Sequence, residues 1–158
     1  MIRPKTFWWI LIIVWCGFIF NESSKPFHSS QQQSLYIVKV LNESLSQMIK
    51  REVVVFTNHL VRKSAHCFEY FILGCLLLNG FFTRNRMRRA IIFSLLFGVC
   101  YAASDEFHQL FVPGREMHFL DVLIDSTGVS LGVLLVSSLR KKRRFHYSVL
   151  PEELVGFE

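Results

Sequence analysis

The chain alternates long apolar runs with short polar or basic stretches, and most of the apolar runs approach the length of a membrane crossing. Thr6–Phe20 is apolar almost throughout and follows Arg3 and Lys5. At ~1.5 Å per residue it covers about 22 Å, so flanking residues must help it across a hydrocarbon core of ~30 Å. Asn21–Gln33 is polar and reads as a loop. From Leu35 to Ile49 apolar residues fall at 35, 38, 41, 45, 48 and 49, with Lys39, Asn42, Glu43 and Gln47 between them. That spacing predicts an amphipathic helix too polar to span, lying along the membrane surface or capping the bundle. Asn58–Phe82, Ala90–Val112 and Phe119–Leu139 are the second, third and fourth spans. The pattern therefore predicts an all-α membrane protein. Four transmembrane helices and one surface helix, between spans 1 and 2, occupy residues 1–139, and a loosely ordered basic tail covers 140–158.

Composition agrees: 51% of the residues are hydrophobic, and they arrive in blocks longer than a small soluble core would need. The first run has the charged start of a signal peptide, but bulky aromatics precede any cut near Phe20, so it is read as a retained span. Cys16, Cys67, Cys75 and Cys100 all lie in apolar runs and form no CxxC or zinc-finger spacing, which points to buried thiols rather than disulfides or metal ligands.

The net charge of +6 is concentrated in Arg84, Arg86, Arg88 and Arg89 and in Arg140–Arg144. Clusters that flank apolar runs anchor a membrane protein with its positive side in the cytoplasm; they do not make a nucleic-acid surface. Four spans with both termini cytoplasmic satisfy these clusters together with Arg3 and Lys5.

This topology sends polar groups from three separate segments to one depth. Span 2 carries Arg62, Lys63, His66 and Glu69 in its first half, with Arg62, His66 and Glu69 on one helix face. Span 3 ends in Asp105, Glu106, His108 and Gln109, followed by a Pro113-Gly114 turn and Arg115. Span 4 begins with Asp121 and Asp125 on the stripe that also holds Gly128 and Gly132, glycines that allow close helix approach. All of these fall in the outer half of the bundle. Charges there are costly unless they face one another or water, which marks the cluster as a site rather than packing alone.

The residue types leave three chemistries open. Arg62, Lys63, His66, Glu69, Gln109, Arg115, Asp121 and Asp125 are expected to bind a ligand: Arg62, Lys63 and Arg115 would contact an anionic headgroup or cell-wall precursor, Glu69, Asp105, Asp121 and Asp125 would hold those cations in place, and His66 and His108 would tune the pocket. His66, His108 and the carboxylates could serve as metal ligands or proton carriers in a membrane enzyme, with His108 and Asp105 or Glu106 as its acid–base pair. Ion passage is the weakest, because the inner halves of the spans are apolar. No H-E-x-x-H or phosphate-loop motif is present, so no metal or cofactor is expected.

The segments Arg62–Tyr70, Tyr101–Arg115 and Asp121–Gly128 with Gly132 resemble, in order and spacing, the motifs of the VanZ-like family. The likeness covers Thr6–Leu139. The stretch Asn21–Asn58 carries none of its motifs, and His118 departs from the small or polar residue expected there. The resemblance implies a multi-pass protein of the bacterial plasma membrane. The family's namesake is associated with resistance to teicoplanin-type glycopeptides, which act at the outer membrane face. Its expected partner is a membrane lipid or a lipid-linked cell-wall ligand, not nucleic acid.

Overall fold

The computed structural model describes residues 4–49, 57–83 and 86–149, and every element among them is helical. Helix α1 spans Pro4–Ser23, α2 Phe27–Ile49, α3 Asn58–Phe81, α4 Met87–Gln109 and α5 Phe119–Val149. Four of them are long and apolar enough to cross a membrane, over Lys5–Ser23, Asn58–Phe81, Met87–Gln109 and Phe119–Lys142.

The termini of the helices follow local chemistry. Pro4 opens α1, where its missing N–H removes no intrahelical bond. Thr57 caps α3, its hydroxyl accepting from the Leu60 N–H at 3.2 Å. α4 closes at Gln109, three residues short of the Val112 expected from hydropathy. There the bonds tighten: the N–H groups of Leu110, Phe111 and Val112 each reach the carbonyl three residues back. Gly114 then takes φ +76°, a left-handed conformation that glycine adopts without strain and that turns the chain toward α5.

Two expected boundaries are revised. The polar stretch Asn21–Gln33 is not one loop, because α2 begins at Phe27 and only Ser24–Pro26 separates it from α1. Pro26 suits a helix entry and the following Ser and Gln residues tolerate a helix, with no glycine among them to break it. α5 also continues past Leu139, through the basic residues, to Val149. Arg84 lies outside the described residues, while Arg86, Arg88 and Arg89 stand at the start of α4.

α3 is the central helix. It packs on α1, α2, α4 and most extensively on α5, whereas among the described residues α2 packs on α3 alone. The buried apolar residues include Ile12 and Ile19 of α1, Tyr70, Leu73 and Leu77 of α3, Ala102 of α4, and Val129 and Val133 of α5. Glycines permit this closeness: a Cβ at Gly128 would strike the Cys67 carbonyl, and one at Gly132 the Phe71 carbonyl. Ile13, Val14, Ile92, Phe93, Leu131 and Leu134 face outward, as a lipid-facing perimeter requires.

The bundle has two unlike ends. At one, the start of α1 meets the end of α3 through Trp9 and Phe81, whose rings lie 5.0 Å apart edge to face. Here too Arg140 of α5 donates to Asn79 and lies over the Phe82 ring. Arg86, Arg88, Arg89 and Lys5 belong to the same end. At the other, the end of α1, the starts of α3 and α5 and the end of α4 come together around polar side chains.

Candidate functional site

At this second end, α3 supplies three basic groups in sequence. Lys63 Nζ forms an ion pair with Asp121 Oδ1 of α5 at 2.5 Å. The Arg62 guanidinium lies over the Phe27 ring at the start of α2, 5.3 Å from its centroid, a cation–π arrangement. His66, one turn deeper, stands 3.7 Å from Glu69 Oε2 through Nδ1, beyond hydrogen-bond length.

Arg115, just past the turn, is the tie that holds this end together. Its Nε donates to the Lys25 carbonyl at 3.1 Å, one Nη to the Glu22 carbonyl at 3.5 Å, and the other to Gln109 Oε1 at 3.4 Å. The planar fork of a guanidinium is needed to meet three acceptors in these directions. Burial, reinforced by the neighbouring Arg62 charge, lowers the Arg115 pKa from its ordinary value. The loop closes further through the Phe27 N–H, which donates to the Pro113 carbonyl at 3.4 Å.

The carboxylates of α4 are also built in. Glu106 accepts from Gln109 Nε2 and from the His118 backbone N–H, both at 3.1 Å. Asp105 is 3% exposed, and neither of its oxygens has a hydrogen bond of ordinary geometry; Ser23 and Gln109 are polar side chains that face it. Asp125 is 2% exposed and one of its oxygens likewise lacks a partner. His108 turns toward α1, with Nε2 at 3.1 Å from Ser24 Oγ and its ring stacked on Phe20 at 4.3 Å between centroids.

Two adjacent spaces result. A mouth of about 260 Å³ is bordered by Phe27, Gly114, Arg115, Glu116 and His118. Beneath it lies a recess of about 20 Å³, room for one water-sized group. Arg62, Gln109, Arg115 and Asp121 border both. The recess is completed by Lys63, His66, Glu106, Ile124 and Asp125. Seven of the eight residues expected to bind a ligand therefore line one cavity: Arg62, Lys63, His66, Gln109, Arg115, Asp121 and Asp125. Glu69 lies behind His66 and borders neither space. Of the acid–base candidates Glu106 lines the recess, while Asp105 and His108 line neither space. Among the described residues no three His, Cys, Asp or Glu side chains converge as metal ligands.

Several contributors escape a reading of the sequence. The Glu22 and Lys25 carbonyls and the His118 N–H are backbone groups, which side-chain patterns do not encode. Phe27 did carry a signal, as the one large apolar residue within the polar stretch Asn21–Gln33.

A family model described as VanZ/LLP1 matches residues 8–140. No curated protein and no solved structure matches the chain.

Proposed function

Since this chain belongs to the VanZ/LLP1 family, we propose that it resides in the bacterial plasma membrane and binds or screens a lipid-linked, anionic or glycopeptide ligand at the outer leaflet. The observation that carries this reading is the pair of adjacent cavities, whose shared border includes Arg62 and Arg115. Among the described residues Arg62 has no carboxylate partner, so its donors are available to an incoming anion. Retention of excess Lys and Arg in the cytoplasm orients the bundle: the end with Lys5, Arg86, Arg88, Arg89 and Arg140 faces inward, both termini are cytoplasmic, and the cavity mouth opens outward. α2 then lies at the outer interface, its exposed Leu35, Tyr36, Ile37 and Val40 against lipid.

An enzyme using His108 with Asp105 or Glu106 draws less support. His108 is engaged by Ser24 and Phe20, and Glu106 already accepts two hydrogen bonds.

The test is expression of the full chain in a susceptible bacterial host, with teicoplanin susceptibility and cell-surface binding of labelled teicoplanin as readouts. The native chain is expected to reduce both, and Arg62→Ala to abolish the reduction at equal membrane abundance. Equal protection by native protein and Arg62→Ala would overturn the anion-site reading.

A further inference from the structure

The recess and the mouth differ in what they offer a ligand. At the mouth, Arg62 presents a cation that no carboxylate neutralises among the described residues. One helical turn deeper than Asp121, which Lys63 occupies, Asp125 borders the recess, and its buried Oδ1 has no hydrogen-bond partner among the described residues. Asp125 is 98% removed from solvent, since its exposure is 2%. A buried carboxylate without a donor is costly, and a ligand that carries a donor into the recess relieves that cost. The available space of about 20 Å³ limits such a donor to a group the size of a water molecule.

Building on the anion-site reading above, we infer that the ligand head is zwitterionic, with a phosphodiester at Arg62 in the mouth and a primary ammonium group in the recess on Asp125. A phosphoethanolamine head has this composition, two carbons separating its phosphate from its ammonium. A –NH3+ group matches a water in size and brings three donors, so Asp125 and the neighbouring Glu106 can both accept from it. A trimethylated ammonium has no N–H and exceeds the recess. A glycerol head has no charge to offer Asp125. The formal charges bordering the recess support the pairing: Arg62, Lys63 and Arg115 are matched by Glu106, Asp121 and Asp125. A site for a plain anion would carry an excess of cations.

The test uses the full chain in maltoside micelles, titrated with dihexanoyl phosphatidylethanolamine, its mono-, di- and trimethylated forms, and dihexanoyl phosphatidylglycerol. Affinity is read by calorimetry. Phosphatidylethanolamine is expected to bind about tenfold or more tighter than phosphatidylglycerol, with affinity falling at each methylation. Asp125→Asn should bring the preference close to unity, and the methylation series gives the same discrimination on native protein. Phosphatidylglycerol binding as tightly, or affinity indifferent to methylation, overturns the ammonium assignment while leaving the anion site standing. Binding of every lipid unaffected by Arg62→Ala overturns both. Glycerophosphoethanolamine separates the sources of this chemistry: binding as tight as that of the tailed lipid assigns the free head as sufficient, and binding only with tails assigns a membrane lipid.

Discussion

The same two helices, α3 and α5, meet in two different ways along their length. From Cys67 to Cys75 against Gly128 to Gly132 they touch backbone to backbone, with no space for even a methyl group. One to two turns away, Lys63 and Asp121 meet through an ion pair of their side chains and border a cavity. The first region is close-packed and apolar, and its energy comes from dispersion and burial. The second leaves a buried carboxylate oxygen of Asp125 without a partner among the described residues, which no packing argument favours. The tight region holds the frame so that the loose region can keep an arrangement that would otherwise collapse or flood.

The largest effect of that division belongs to the tight region. Gly128→Ala or Gly132→Ala must push α3 and α5 apart against backbone atoms, at a cost of about 1–3 kcal/mol each and more together. Thermal unfolding in detergent should show the double variant strongly destabilised; an unchanged midpoint would mean the helices do not meet this closely.

Next comes the tie at the site end. Arg115→Ala leaves the Glu22 and Lys25 carbonyls and Gln109 without their charged donor, a loss of about 2–3 kcal/mol. Arg115→Lys keeps the charge but not the fork, so it should recover less than half of the loss in the same assay. Full recovery by lysine would reduce the role of Arg115 to charge alone.

The smallest effect sharpens the contrast from outside. Gly17 of α1 has open space where a Cβ would sit. Gly17→Ala should therefore be neutral or stabilising by up to about 1 kcal/mol, through helix propensity. A destabilisation like that at Gly128 would place Gly17 in an interface with another chain.

Much of this was legible in the residues. Apolar runs long enough to cross a bilayer marked four helices, because an unsatisfied backbone is intolerable in hydrocarbon and only a helix satisfies it within one segment. The i, i+4, i+7 spacing of Arg62, His66 and Glu69 put them on one face, and the structure brings Arg62 and His66 to one recess with Asp121 and Asp125. Helix ends were less legible. The Ser and Gln content of Asn21–Gln33 resembles a loop, yet nothing in it forbids a helix, and α2 starts at Phe27.

Residue chemistry alone set the kind of molecule: helical, four times long and apolar enough to span, with ionisable groups concentrated in three segments. Hydropathy and charge are properties of each residue, so they can be read without neighbours. Tertiary structure decided which of those groups have partners. It gave Asp121 to Lys63, His108 to Ser24, and Arg115 to two backbone carbonyls. It left Asp125 Oδ1 without a partner beside the recess. Pairing depends on distances between segments remote in the chain, and those distances are set by glycine contacts and a turn that no local pattern of charges contains.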